Sequence, residues 1–312
     1  RRVVAHIARA KPDFVVHGGD FFFRSRVAQE IVDVAYQPLF ELGQVGVPVF
    51  VVPGNHERSK LPNSLWLSHP NIHIFDRPRT YSIDVSGSSV AISGFPFARE
   101  VGRRFGTLLA QTDWEDSRAD LRLLCMHQAV EGARVGPSDY TFRVGPDVIK
   151  MEDIPLDFAA VLAGHIHRHQ ILCGSPDQGN PPTIYPGSVD RTSFAEKAEP
   201  KGFYELTLTP DDAGIWRMSS TKFVVLPTRP MVDLVIGPEV LASNLSGYIL
   251  SQVAKMEQDS VVRLRISDGV NASIRTRLTA SFLRSVFPAT MNVQLGVEFY
   301  RELHSRPNYA RG

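Results

Sequence analysis

Four short runs in this chain carry side chains able to hold metal ions and move protons. They are Gly18-Gly19-Asp20, Gly54-Asn55-His56-Glu57, His127 within Cys125-Met126-His127-Gln128, and Gly164-His165-Ile166-His167. Together they offer a carboxylate, an amide oxygen and several imidazoles. Such donors suit two hard-to-borderline divalent cations bound through nitrogen and oxygen, which points to manganese, iron or zinc. Two ions about 3.5–4 Å apart can clamp a phosphodiester and lower the pKa of a bound water toward about 7, making that water the nucleophile. Glycine ahead of the candidate ligands has its own reason, because a backbone without a Cβ can turn sharply and bring the next side chain close to the ions.

Taken singly, each run has an ordinary reading. Gly-Gly-Asp is a turn in most sequences, a lone histidine such as His127 is more often a satisfied core residue than a ligand, and Gly-Asn-His-Glu serves equally well as a turn. Gly-His-x-His is more specific, since side chains two apart on an extended segment point to the same side. The order of the four and what precedes them carry more weight. Each follows an apolar run, at residues 14–17, 47–52, 121–126 and 158–163, that reads as a strand covered on both faces. Open α/β sheets bind ligands outside the carboxyl ends of their strands, so four polar tips after four strands are expected to converge.

The elements that must position these tips alternate along the chain. Residues 27–42 carry Ile31, Val34, Ala35, Leu39 and Leu42 at helical spacing, which completes a strand-helix-strand unit. Residues 80–85, 89–93, 183–185, 202–209 and 216–225 read as antiparallel strands, giving a layered α/β sandwich with mixed sheets. Leu226-Pro227-Thr228-Arg229-Pro230 reads as a linker, because two prolines in five residues disfavour helix and central strand alike. A small second module follows. Its first helix spans residues 239–256 with Leu241, Leu245, Tyr248, Ile249, Val253 and Met256 on one face. A strand at 261–266 and a helix at 273–286 come next.

Composition bounds the class. The 312 residues exceed one ordinary domain, and 43% hydrophobic with 21% charged residues is globular composition. Thirty-four basic against thirty-three acidic residues leave a net charge of +1, so any nucleic-acid reading must come from the site and not from bulk charge. No apolar run reaches membrane-spanning length, and no signal peptide is visible. Two cysteines, Cys125 and Cys173, cannot form a disulfide framework; both are expected beside buried strands, in a reducing, cytoplasmic setting. Val3, Val4 and Ile7 have helical spacing, so the sequence is expected to open inside a helix, with residues preceding Arg1.

The four motifs, in this order, resemble the calcineurin-like metallophosphoesterases, whose pattern is Asp-x-His, Gly-Asp, Gly-Asn-His with an acidic residue, a lone His, and Gly-His-x-His. The resemblance implies a four-layer α/β/β/α sandwich at residues 1–226 and a small α+β capping domain at 227–312. It implies that Asp20 bridges two metal ions, that Asn55, His127 and His165 bind one, and that His167 binds the other. His56 would be the non-ligand histidine that stabilises charge on the phosphate or protonates the leaving oxygen, with Glu57 holding it in orientation. The Asp-x-His pair does not occur in these residues, and its expected place is upstream of Arg1.

Within that superfamily, residues 48–59 and 185–194 look like the SbcD-type nucleases, relatives of the meiotic-recombination-eleven repair nuclease. The resemblance implies a manganese-dependent DNA exonuclease or endonuclease of double-strand-break repair, partnered by an SbcC-type ATPase and forming a homodimer. Ser188, Arg191 and Arg58 are candidate substrate contacts. Arg263, Arg265, Arg275, Arg277 and Arg284, set against the single acid Asp268, form a stripe that suits phosphates or, equally, a solvated face. Many nucleases of this group have a histidine three residues after the bridging aspartate, where this chain has Phe23, which neither donates a proton nor binds a phosphate oxygen. A small-molecule phosphodiesterase or phosphatase, or a non-catalytic DNA-end-binding scaffold, are the alternatives. His6, His17, His69, His73, His169 and His304 are expected to be structural or surface residues, with His169 close enough to His167 to support it.

Overall fold

The computed structural model describes residues 2–22, 26–57, 69–173 and 179–296. The chain divides into two compact units: Arg1–Asp190 with Pro200–Leu226, and Arg191–Glu199 with Pro227–Gly312. The first unit opens with helix α1 (Arg2–Ala10), strand β1 (Val15–His17), helix α2 (Gln29–Gln44) and strands β2 (Val49–Val51) and β3 (Ile72–Ile74). Strands β1, β2 and β3 pair parallel in that order. Then follow β4 (Arg79–Val85), β5 (Ser88–Gly94), α3 (Val101–Ala110), β6 (Leu121–Met126) and four two-residue strands, β7 (Ala129–Val130), β8 (Arg134–Val135), β9 (Tyr140–Thr141) and β10 (Val148–Ile149). Strands β11 (Ala160–Ala163), β12 (Gln170–Leu172) and β13 (Thr183–Tyr185) complete a six-stranded sheet of order β12-β13-β11-β6-β5-β4. Its core pairs are parallel and both edges antiparallel, the mixed sheet expected from the sequence. A long hairpin of β14 (Lys201–Pro210) and β15 (Trp216–Leu226) closes the unit.

Alternation along the strands explains why their sequences are largely apolar. Val49 and Val51 of β2 pack with Ile7, Val32, Tyr36, Leu39 and Leu42 of the helices, whereas Phe50 and Val52 face inward against Leu121, Leu123 and Cys125 of β6. Leu124 and Met126 of β6 turn the other way, onto Val101, Phe105, Leu108 and Leu109 of α3. Two sheets face each other with helices outside, giving the α/β/β/α order. Among the described residues no helix is long and apolar enough to cross a membrane. Cys125 is buried, its thiol raised by burial, and Cys173 lies exposed just beyond β12.

The frame of α2 differs from the expectation. Ile31 and Val34 are 57% and 69% exposed, and the buried stripe is Val32, Tyr36, Leu39 and Leu42. The helix carries apolar residues on both faces, and packing selected the stripe that contains the tyrosine.

The second unit contains β16 (Met231–Ile236), α4 (Leu245–Val253), β17 (Val261–Ile266), α5 (Ala272–Arg277), α6 (Ala280–Val286) and β18 (Asn292–Leu295). Its three strands are parallel, with Leu234, Ile236, Val262, Leu264 and Ile266 buried beneath the helices. The long first helix expected here is shorter, preceded by a 3-10 turn at Ala242–Asn244 that leaves Leu241 exposed. The single helix expected at 273–286 is two, because the Thr279 hydroxyl accepts the Phe282 N–H and starts a new helix. Residues 191–199 join this unit through specific bonds: Lys197 pairs with Asp233 at 2.6 Å, and the Arg263 guanidinium lies 4.4 Å over the Phe194 ring.

The observed frame of α2 makes a direct forecast. Leu39→Ala is expected to cost about 2–5 kcal/mol in urea unfolding and Val34→Ala no more than about 0.5 kcal/mol; comparable losses at the two positions would mean that the helix is rotated from the frame described.

Candidate metal centre

The tips of β1, β2, β6 and β11 are carboxyl ends of parallel strands, two in each facing sheet. Asp20, His127 and His165 each present one ligand atom, all within 4.8 Å of one another. The Asn55 Oδ1 lies 3.2 Å from His127 Nε2 and 3.2 Å from His165 Nδ1. Four of the five sequence-predicted ligands therefore meet. His167 is not in this cluster, though its charge acts on His165. Its backbone carbonyl accepts the Ser188 N–H at 3.1 Å and the Lys201 ammonium at 2.8 Å.

Glycine is required where the turns touch. A Cβ on Gly54 would overlap Asp20 Oδ1, and one on Gly164 would overlap the Gly18 carbonyl and sit 2.8 Å from His127 Nδ1. One on Gly18 would sit 3.0 Å from Gly164 Cα, so the β1 and β11 turns pack backbone on backbone. Two ligands adopt left-handed backbone angles, Asp20 at φ 54° and His165 at φ 83°. Non-glycine residues persist there only when surrounding contacts impose the conformation, and such residues cluster at functional sites.

Those contacts are visible. The Glu57 carboxylate accepts three backbone N–H groups, from Gly54 at 2.8 Å, Asp20 at 2.9 Å and Phe22 at 3.2 Å. It thus ties the β1 and β2 turns together, and this corrects the expectation that Glu57 orients His56. The His56 N–H instead donates to Asp20 Oδ1 at 3.0 Å, while its ring, 41% exposed, places Nε2 3.9 Å from Asp20 Oδ2. His17 accepts the Gly19 N–H at 3.1 Å and stacks on Phe21 at 3.7 Å, a structural role as expected.

His127 is 1% exposed and makes the shortest link, Nδ1 to the Gly18 carbonyl at 2.5 Å. Nδ1 must carry the proton to donate there, which leaves Nε2, 3.2 Å from Asp20 Oδ2 and 3.2 Å from Asn55 Oδ1, as the one ring nitrogen able to coordinate an ion. A second-nitrogen bond of this kind is the usual support of a metal-bound histidine. Burial, then the His127 charge, push His165 down to about 4, so its imidazole is neutral and able to coordinate near pH 7. Burial raises the Asp20 carboxyl, but hydrogen bonding and charge from His127 and His56 outweigh it and hold Asp20 below its usual range. An anionic carboxylate, an amide oxygen and two imidazoles converge. That donor set fits a divalent cation.

The candidate substrate contacts fare differently. The Ser188 hydroxyl donates to the Asp190 carbonyl at 2.7 Å and closes a turn. Arg191 donates to the Glu199 carbonyl at 3.3 Å and the Arg229 carbonyl at 3.1 Å, which commits its guanidinium to fastening the second unit. In the basic stripe, Arg263 is bonded to Asp233 at 2.5 Å and Arg277 to the Ala242 carbonyl. Arg58, Phe23 and His304 lie outside the described residues. His169 stacks on Phe223 at 4.0 Å and bonds the Tyr204 hydroxyl. Sequence reasoning missed Phe97, whose ring adjoins His127 and His165, and Lys201, which is 1% exposed. Phe97 lies three residues past β5, a strand whose tip carries no polar motif, and Lys201 stands at a strand start with no motif around it.

The family model for calcineurin-like phosphoesterases matches residues 1–169. The DNA double-strand break repair protein Mre11 of Methanococcus maripaludis is 25% identical over 221 residues, 66% of this chain and 55% of its own length. The protein of the same name from Methanocaldococcus jannaschii is 26% identical over 243 residues, 75% of this chain and 61% of its own. The chain thus spans between 55% and 61% of the length of these relatives. A hypothetical protein of known structure from Thermus thermophilus aligns over 72% of this chain and 93% of its own, at a TM-score of 0.42 and 19% identity.

A bound ion stabilises the folded state by about 2.7 kcal/mol at a hundred times its dissociation constant. Mn²⁺ at that level is expected to raise the melting temperature, Asp20→Ala to abolish the rise, and Gly54→Ala, whose methyl displaces the Asp20 carboxylate, to shrink it. An undiminished rise in both variants would place the ion elsewhere. The family model covers more than half of the chain, and its residues 18–20, 54–55, 127 and 164–165 supply the donors that meet here: the chain belongs to the calcineurin-like phosphoesterases.

Proposed function

We propose that this chain hydrolyses phosphodiester bonds in DNA, as the nuclease part of an SbcD-type protein of double-strand-break repair. The observation that carries the reading is the convergence of Asp20, Asn55, His127 and His165 at the carboxyl ends of strands from two facing sheets. These four would hold one divalent ion, Asp20 would be shared with a second, and His167 would bind that second ion. Manganese is the ion proposed, acting alongside an SbcC-type ATPase and in a homodimer. When bound, such ions supply Lewis acidity toward a phosphoryl oxygen and an acidified water.

The chain's own groups do the rest. The Gly18 carbonyl fixes the His127 tautomer, the Glu57 carboxylate holds two ligand turns in register, and the half-exposed His56 ring faces outward beside Asp20. His56, protonated at Nε2, would donate to the leaving oxygen; its backbone bond to Asp20 Oδ1 keeps it at the site. The choice of DNA over a small phosphodiester is supported by the two relatives, both DNA double-strand break repair proteins by name.

The test is Mn²⁺-dependent degradation of linear duplex and single-stranded DNA by the full-length protein. His56→Ala is expected to lower kcat by about a hundredfold to ten-thousandfold while leaving the Mn²⁺-induced rise in melting temperature intact. Inert DNA together with turnover of a small phosphodiester would shift the assignment to small-molecule hydrolysis. DNA binding without metal uptake would make the protein a scaffold.

A further inference from the structure

Phe97 is an aromatic side chain that the core leaves out. Two positions earlier Phe95 is fully buried, 6.2 Å from Phe105, but Phe97 is half-buried and belongs to none of the hydrophobic clusters of the described residues. It is nonetheless held firmly. Its N–H donates at 2.9 Å to the carbonyl of Pro53, the residue that begins the Gly54-Asn55-His56 turn. The ring centroid lies 5.8 Å from that of His165 and 6.2 Å from that of His127, at interplanar angles of 37° and 77°. Neither imidazole is therefore stacked on it, and among the described residues no ring lies parallel to it.

An apolar ring that is partly solvated, rigidly tethered and set against two candidate ligands invites a flat partner. Every nucleobase has a π-face, so an aromatic side chain beside a backbone-binding site gives sequence-tolerant affinity. We infer that Phe97 is the stacking platform for the nucleobase next to the scissile phosphate, and so favours nucleotide substrates over non-aromatic phosphodiesters. This rests on the nuclease reading and extends it to the part of the substrate that does not react. The competing role is an apolar wall that only shields the ligand imidazoles.

The two roles separate when the base is removed from the substrate and the ring from the protein. The full-length protein with Mn²⁺ is assayed on an oligonucleotide and on the same strand carrying an abasic tetrahydrofuran unit at the cleaved position. Wild type and the variants Phe97→Leu and Phe97→Trp are compared. The loss of one stacked base amounts to about tenfold. The expected result is a KM about tenfold higher for the abasic strand with wild type, the same increase on the intact strand with Phe97→Leu, and no further increase when both changes are combined. Phe97→Trp should keep the preference for the intact strand, and Mn²⁺ titration should be the same for all three proteins. Equal loss by Phe97→Leu on both strands, or a parallel loss of Mn²⁺ affinity, would assign the ring to the wall and overturn the inference. If wild type cleaves neither strand yet turns over a small phosphodiester, the nuclease reading itself falls and the platform with it.

Discussion

The centre is organised around one carbonyl. The oxygen of Gly18 accepts the proton of His127 Nδ1, and a methyl on Gly164 would occupy the same space. Three strand ends from two separate sheets are thereby brought to a single peptide group. Among the described residues no strand ladder joins the three-stranded sheet to the six-stranded one, so at the site they are joined by this bond, the Phe97 N–H to Pro53 carbonyl bond, the side-chain contacts of Asp20 and Asn55, and the glycine contacts around them. The same bond decides the chemistry, because a histidine that must give its Nδ1 proton to a backbone oxygen has only Nε2 left to coordinate. Architecture and the nitrogen left to coordinate are fixed together.

Electrostatics then divides the polar groups by burial. Asp20 stays anionic although partly buried, because His127 and His56 compensate its desolvation, while His165 is kept neutral by burial. Glu57 has the opposite balance. Burial and the nearby Asp20 charge push its carboxyl upward in spite of three amide donors. It is tolerated because those amides belong to turns that have no strand partner beyond the ends of β1 and β2, and buried N–H groups require an acceptor. His56, by contrast, remains half in solvent.

Much of this was legible in the sequence, for reasons the packing makes clear. Residues 121–126 are apolar but for Arg122 because alternate side chains enter different cores, so both the strand and its central place could be inferred. The motifs pointed to four candidate ligands that meet, because each follows closely on a strand, leaving the turn few places to go. What stayed hidden depends on long-range contact. Nothing local tells that Glu57 spends its oxygens on the amides of Asp20 and Phe22, more than thirty positions away. Nor does spacing reveal that α2 buries Val32 and Tyr36 in preference to Ile31 and Val34, since both stripes are apolar. Nor does a sequence show that the Ser188 hydroxyl bonds the Asp190 carbonyl and the Arg191 guanidinium the Arg229 carbonyl.

The excursion at residues 191–199 has a consequence for how the molecule can be taken apart. The chain leaves the first unit after Asp190, contributes Phe194 and Lys197 to the second, returns at Pro200 for the long hairpin, and departs again at Pro227. The proline-rich stretch at 226–230 is therefore not a seam. Severing it would leave nine residues of the smaller unit covalently attached to the larger, and a fragment beginning at Pro227 would lack the aromatic ring beneath Arg263 and Lys197, one of the two cations paired with Asp233. The two units are separate in their cores but braided in their covalent order, so neither can be excised intact by a single cut.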